Sequence, residues 1–282
     1  MSAILFGLGA AVAWATAMLC ASRAARLIDP SSVLSWVMLT GFLVVVPWAA
    51  SVGVPEGLDG TSIAWLAAAG LGNVLGLLLS YGAMRVGRVG IVAPIVSTEG
   101  AIAALIAVLA GEELAGGVGA MLVVIAVGIV LAATMGGPEP AALPEPARVP
   151  LLALAASLSF GVSIYATGRA SADLPIAWAI LPPRIVGVLV VLLPLVVSSR
   201  LRWTRRALVL AICSGLAEVV GFALYAVGSR SGIAVSAVLA SQFAAIAAVA
   251  AYFLFHERLT RLQRVGVATI VAGVATLTAL QA

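Results

Sequence analysis

The sequence predicts an all-α integral membrane protein, with ten transmembrane helices in two inverted five-helix repeats around a central cavity. Of the 282 residues, 63% are hydrophobic and only 9% are charged, and the mean hydropathy is +1.21. A soluble domain could not bury that much apolar surface, so lipid is the expected solvent. The apolar residues also fall into ten separate segments, and the second half of the chain repeats the pattern of the first.

Turns and charged residues divide the chain into segments of about 20 residues, each long enough for a tilted membrane span. Because the hydrocarbon offers no water to the backbone, each segment is expected to be a helix. The segments are 3–22, 32–52, 62–84, 89–110, 117–136, 150–169, 175–198, 207–228, 232–254 and 263–281. Prolines inside three of them predict kinks at four places: Pro47, Pro94, Pro182 with Pro183, and Pro194.

A proline-rich linker over residues 138–149 separates the predicted repeats, residues 1–137 and 150–282. Residues 81–114 match residues 225–259 at an offset near 144, with YGAM opposite YAVG and Glu113 opposite Glu257. Five helices per repeat is an odd number, so the second repeat must insert upside down relative to the first. Such inverted repeats are an architecture of secondary transporters, whose substrate site lies near the membrane midplane.

Four polar side chains lie at depth in these segments: Asn73, Glu99, Arg184 and Glu218. Charges at the membrane midplane cost several kcal/mol unless they face a cavity or a partner, so they indicate function. Two carboxylates, a guanidinium and an amide can bind a zwitterion, and either carboxylate can take up a proton. The structural alternative is that Arg184 neutralises one glutamate purely for folding.

Other candidates surround this polar set: Trp14, Tyr81, Tyr225, Ser241 and Gln242. The aromatic rings would line a cavity and stack on a ligand, while the serine and the amide would offer hydrogen bonds.

Small residues four apart, such as Gly72 with Gly76 and Ala217 with Gly221, predict close approach of neighbouring helices.

Several function classes are excluded by missing motifs. The chain has no lysine, so it has no GxxxxGK[ST] phosphate loop, and GxSxG, HExxH and CxxC are also absent. We therefore expect no enzyme, no cofactor and no metal site, and the single histidine, His256, cannot form one alone. The arginines lie between apolar segments, which indicates membrane topology and no nucleic-acid partner.

Further motifs recur in both repeats. Trp14 lies in the motif AAVAWAT of the first segment. The fourth segment of each repeat is followed by an acidic motif, GEEL at 111–114 and HERLT at 256–260. The last segment of each repeat is glycine-rich, with GIVLAAT in the first and GVATLTA in the second. In these features the chain resembles the drug/metabolite transporter superfamily, in its ten-helix EamA-type branch. The resemblance implies export or exchange of small metabolites, amino acids prominent among them, without ATP hydrolysis. The chain departs from the family pattern at Glu99, which precedes Gly100 instead of proline, and at Phe243, the matching position of the second repeat.

Loop arginines predict the orientation. The odd-numbered connections hold twelve and the even ones two, Arg169 and Arg230, which predicts odd connections in the cytoplasm and both termini outside. The resemblance implies the opposite, with both termini inside. The twelve are Arg23, Arg26, Arg85, Arg88, Arg148, Arg200, Arg202, Arg205, Arg206, Arg258, Arg261 and Arg264.

These observations together predict a secondary active transporter that exports small polar metabolites, amino acids first, by alternating access in a bacterial inner membrane. Organic cations or drugs, vitamins and sugars are alternative substrates on the same fold. A flippase for lipid-linked substrates and a non-transporting scaffold are further alternatives. The expected partners are a small-molecule substrate, the lipid bilayer and, as a candidate coupling ion, the proton. A monomer is the simplest assembly, because ten helices can complete a pathway.

Overall fold

A computed structural model describes residues 1–86, 92, 95–133, 148–246, 249–250 and 260–280. The described residues form ten helices, one in each predicted segment, although the helix of segment 89–110 begins only at Glu99 and that of segment 232–254 ends at Ala240. They are α1 (Ser2–Ala24), α2 (Pro30–Val52), α3 (Gly60–Val86), α4 (Glu99–Leu109), α5 (Val118–Ala133), α6 (Arg148–Asp173), α7 (Ile176–Val197), α8 (Arg205–Ser229), α9 (Ile233–Ala240) and α10 (Arg261–Leu280). Residues 138–147 of the predicted linker lie outside the described residues, and its last two positions, 148 and 149, belong to α6. Pro94, His256 and Glu257 also lie outside the described residues.

Within the described residues, six helices are long and apolar enough to cross a membrane: α1, α2, residues Gly60–Ser80 of α3, α6, α7 and α8. A helix of 23 residues, such as α1, extends about 35 Å at 1.5 Å per residue. That length exceeds the roughly 30 Å of a bilayer's hydrocarbon core. The described parts of α4, α5 and the α9 region are shorter apolar helices.

The outward surface of the helices is apolar. Leu5, Leu43, Leu109 and Val197 are each more than 60% exposed, although all belong to apolar helices. The buried polar residues lie on the inner faces instead. This distribution fits a chain whose solvent is lipid, and it agrees with the predicted membrane class.

The prolines of α7 break it as predicted. The helix runs as Ile176–Ile180, then Pro182–Gly187, a π-helical turn at Val188–Leu192, and Leu193–Val197. Proline has no N–H and its ring crowds the preceding turn, which explains the break before Pro182 and the π turn before Pro194. Arg184 therefore lies in the first turn after a helix break. The α2 helix, in contrast, continues through Pro47.

Helices of the two halves pack in reciprocal pairs. Helix α1 packs along α8 and α3 along α6, while α2 contacts α7, α4 contacts α9 and α5 contacts α10. Glycines permit the close approaches, as predicted: a Cβ at Gly72 would lie 2.8 Å from the Ser159 carbonyl oxygen, and one at Gly76 would lie 2.6 Å from Phe160. The core is therefore an interface between the halves, built from one helix of each at every pair.

Capping residues fix where several helices begin. Asp29 accepts the Ser32 N–H at 2.9 Å before α2, and Asp59 accepts the Ser62 N–H at 2.7 Å in the first turn of α3. Hydrogen bonding from Ser62, first by its backbone N–H, holds the pKa of the Asp59 carboxyl below its usual value. Thr204 caps α8 by accepting the N–H of its first turn at 3.2 Å. These caps set the register in which α2, α3 and α8 present their inner faces.

Candidate functional site

A buried ion pair joins α7 to α8 in the interior of the protein. Nη1 of Arg184 donates to Oε2 of Glu218, so the two charges predicted to lie at depth are direct partners. The Arg184 side chain is 1% exposed and that of Glu218 is 21% exposed. Two further contacts surround the guanidinium: the Met38 sulfur lies 3.6 Å from Nη1, and the guanidinium carbon lies 5.3 Å from the centre of the Phe222 ring. The pair is therefore neutral overall, and it is accessible from the glutamate side.

Two further donors of Arg184 have no partner among the described residues. Its Nε and Nη2 are both buried and make no hydrogen bond there. These two nitrogens form one edge of the planar guanidinium, and their N–H groups point the same way, in the arrangement that binds both oxygens of a carboxylate. A buried donor without an acceptor costs about 1–3 kcal/mol. Within the described residues, this free edge of Arg184, formed by Nε and Nη2, has no anionic partner.

Glycine 41 on α2 makes room for this arginine. A Cβ at that position would lie 2.7 Å from Cδ and 2.9 Å from Nε of Arg184, well inside ordinary contact distance. The bulk of Met38, one turn earlier on α2, is in turn accommodated by Gly187, where a Cβ would lie 2.6 Å from the Met38 side chain. Helix α2 therefore positions the guanidinium by shape, although it contributes no charge to the site.

An aromatic cluster adjoins the ion pair. The ring centre of Trp14 lies 5.0 Å from that of Phe222, 6.1 Å from that of Tyr225 and 6.3 Å from that of Phe243. The indole packs directly against Gly221, where any Cβ would collide with it. Its Nε1 is buried and has no hydrogen-bond partner in the described part of the chain. Phe222 contacts both Arg184 and Trp14, so the cluster and the ion pair form one continuous region across α1, α7 and α8.

Tyr225 lies on the inner side of this cluster and is fully buried. Its hydroxyl donates to the Ile164 carbonyl oxygen at 2.9 Å, which ties α8 to α6. The ring contributes to the aromatic cluster, while the hydroxyl is committed to the backbone.

Asn73 and Glu99 occupy separate positions. Asn73 on α3 is 7% exposed, and no described residue forms a hydrogen bond with its Oδ1. Glu99 begins α4 and is 6% exposed. Among the described residues its carboxylate forms no hydrogen bond or ion pair. Neither side chain bonds to Arg184 or Glu218, so the structure does not join all four predicted polar residues in one cluster.

Ser241 and Gln242 follow α9 directly, in a turn beside Phe243. The Ser241 hydroxyl donates to the Val238 carbonyl oxygen at 2.9 Å, and its side chain packs on Gly100 of α4. Gln242 is 3% exposed, and its Nε2 has no hydrogen-bond partner where the structure is described. The side chain of Tyr81, also predicted at the site, lies outside the described part of the structure.

Some positioning residues were not predicted from the sequence. Met38 and Gly41 shape the surroundings of Arg184, yet a methionine and a glycine in an apolar helix carry no signal of that role. Glu112 accepts the backbone N–H groups of Ile233 and Ala234, each at 3.1 Å, and so caps α9 from the end of α4. The GEEL motif pointed to this segment, but not to a contact 121 residues away along the chain.

The chain was also compared with known proteins. The model of the EamA-like transporter family matches residues 1–134 and again residues 148–279. A solved crystal structure of a protein aligns with a TM-score of 0.80 over 99% of this chain and 97% of its own, at 18% identity, which indicates a shared fold. Curated proteins gave no match.

Proposed function

Since the chain belongs to the EamA-like transporter family, whose model matches each half of the chain, we propose that it exports small polar metabolites, amino acids first among them. The family makes it a multi-pass membrane transporter. The substrate class, the direction and the mechanism are our proposal. The observation that carries the substrate class is the free Nε and Nη2 edge of Arg184 beside Glu218.

An amino acid is chemically complementary to this pair. Its carboxylate would accept from the free edge of Arg184, in the bidentate geometry that guanidinium favours. Its ammonium group would bind the carboxylate of Glu218, whose 21% exposure leaves one side open. The amino-acid zwitterion and the Arg184–Glu218 pair are each neutral overall, so binding adds no net charge to the interior. Each charged group meets a group of opposite charge, which offsets its desolvation cost. Phe222 and Trp14 would contact the apolar part of the substrate.

An organic cation is a weaker candidate. The aromatic cluster around Trp14 favours cations, but Arg184 already lies over Phe222 and would repel a second positive group.

Alternating access is supported by the reciprocal packing of the halves. Each helix pair contains one member from each family unit, and the equivalent partners exchange between the halves, as a two-fold relation would require. We propose that the second unit is inverted relative to the first and that the two rock about the Arg184–Glu218 pair. Protonation of Glu218 or Glu99 is the proposed coupling step, and a single chain is the proposed transport unit in a bacterial inner membrane.

The proposal is tested by flux in proteoliposomes. Proteoliposomes that contain the purified protein would be loaded with a panel of labelled amino acids, with and without a pH gradient. The flux of the wild-type protein would be compared with the flux of Glu218→Gln and Arg184→Lys. Both variants are expected to lower flux at least tenfold, because each removes one half of the zwitterion site. Glu56→Gln, which removes a carboxylate from an exposed loop, serves as the matched control and should transport normally.

Arg184→Lys separates binding from folding. Lysine retains the charge that neutralises Glu218 but cannot form the two-oxygen contact. If the arginine served only to neutralise the glutamate, Arg184→Lys would retain normal flux. That result, or no flux of any amino acid by correctly folded wild-type protein, would refute the proposal.

A further inference from the structure

A cavity of about 730 Å³ opens where the end of α1 meets the start of α8. Its volume is within the range of ligand-binding clefts. None of its lining residues belongs to the Arg184–Glu218 region, so it is separate from the proposed transport site. Its lining combines four arginines with three apolar side chains: Arg23, Arg26, Leu27, Arg205, Arg206, Val209 and Leu210.

The positive charge in this cavity is concentrated. The described lining residues include no carboxylate, and within the described part of the chain Arg26, Arg205 and Arg206 form no ion pair. Arg205 and Arg206 also open α8, whose first turn holds no acidic residue. The positive end of the helix dipole lies there, so cations at this position are disfavoured. An anion bound in the cavity would relieve both repulsions.

The apolar walls indicate what kind of anion this is. Leu27, just after the end of α1, is 47% exposed, and Val209, near the start of α8, is 55% exposed. Both helices are of membrane-spanning length. Trp203, just before α8, is 64% exposed, as is typical of tryptophans at a membrane–water boundary. The arginines therefore lie at the level where these helices leave the hydrocarbon, which is the level of lipid phosphates. A soluble anion would use the arginines but would gain nothing from the apolar walls.

We propose that this cavity binds the headgroup of an anionic phospholipid, with its phosphate among the four arginines and its first acyl carbons against Leu27 and Val209. Guanidinium groups bind phosphate oxygens in pairs, and basic pockets between membrane helices are suited to anionic headgroups. A lipid held there would bridge α1 and α8, the helices that carry Trp14 and Glu218. The inference does not depend on which substrate is transported.

Lipid selectivity measured by electron spin resonance tests the proposal. The full-length protein would be reconstituted in phosphatidylcholine vesicles with spin-labelled phosphatidylglycerol or spin-labelled phosphatidylcholine, and the motionally restricted fraction would be compared. We expect wild type to prefer phosphatidylglycerol. We expect R205Q/R206Q to reduce that preference by roughly tenfold, since each arginine at an anionic surface contributes on the order of a few-fold in affinity.

The matched control is R200Q/R202Q. It removes the same charge from the adjoining loop, where neither residue lines the cavity. The control should retain the preference of wild type. An equal loss in both double variants would mean that general surface charge attracts the lipid, and retention in R205Q/R206Q would exclude these arginines as the site.

Three further measurements check the conclusion. R26Q, on the opposite wall, should lower the preference in the same direction by a smaller factor, and a monodisperse elution profile would establish that each variant is folded. Inorganic phosphate at millimolar concentration should not displace the labelled lipid. Displacement by phosphate would overturn the lipid assignment and make the cavity a site for soluble anions.

Discussion

Replacing Gly41 with alanine tests the transport site without removing any charge from it. The new Cβ would lie 2.7 Å from Cδ and 2.9 Å from Nε of Arg184. Ordinary carbon contacts begin near roughly 3.5 Å, so the arginine must retreat by roughly 1 Å. The movement displaces both its contact with Glu218 and its free edge. We therefore expect weaker substrate binding from a change that is otherwise conservative.

The expected size follows from the contacts at risk. Overpacking costs about 1–3 kcal/mol, and the better helix propensity of alanine offsets about 1 kcal/mol of that, so the variant should still fold. A hydrogen bond to a charged group contributes about 1.5–3 kcal/mol, which corresponds to roughly a tenfold to hundredfold loss in substrate affinity. The assay is the concentration dependence of amino-acid flux in proteoliposomes, with an increased KM as the expected result.

Gly82→Ala is the matched control for this experiment. Gly82 also lies inside a helix, α3, but a Cβ there would meet nothing within 4 Å. It should have the KM of wild type. The reasoning is refuted if Gly41→Ala also transports with unchanged KM and rate, because the guanidinium position would then be irrelevant to binding.

Three stability changes are predicted from the inter-helix hydrogen bonds, each measured by thermal unfolding in detergent. Glu112→Gln should lower the free energy of unfolding by about 1–2 kcal/mol, because it weakens the cap of α9. Glu113→Gln, at the exposed neighbouring position, should leave it unchanged. Equal melting temperatures of the two variants would contradict the cap. Tyr225→Phe should cost about 1 kcal/mol by leaving a carbonyl of α6 without its donor, and no change would contradict that bond. Arg230→Gln should cost about 1–3 kcal/mol, since its guanidinium donates to the Ser171 carbonyl oxygen of α6 at 2.7 Å and to the Leu174 carbonyl oxygen, just after α6, at 3.0 Å; an unaltered melting curve would exclude this role.

The helices could be predicted from the sequence because their signal is local. Ten apolar segments of spanning length are visible in composition alone, and the break before Pro182 follows from the geometry of proline. The two charges at depth, Arg184 and Glu218, were identified for the same reason: charged side chains in apolar helices are rare. Their direct contact was anticipated as the structural alternative, and the structure contains it.

The surroundings of that pair could not be predicted, because they depend on which helices meet. Met38 and Gly41 become part of the site only because α2 packs against α7. Trp14 was expected to line a cavity, but its contact with Gly221 requires the close packing of α1 on α8. In the sequence, Arg205 and Arg206 served only to predict membrane orientation. Their position beside Arg23 and Arg26 around one cavity depends on the packing of α1 against α8.

The most direct test of the transport site compares substrates instead of variants. For each amino acid that the wild-type protein transports, competition by its decarboxylated amine and by its amide would be measured in the same proteoliposomes. Both analogues keep the ammonium group but lack the carboxylate that the free edge of Arg184 is proposed to bind. We predict that unlabelled amino acid competes fully and that both analogues compete at least tenfold more weakly. Equal competition by the amine would contradict carboxylate recognition by Arg184.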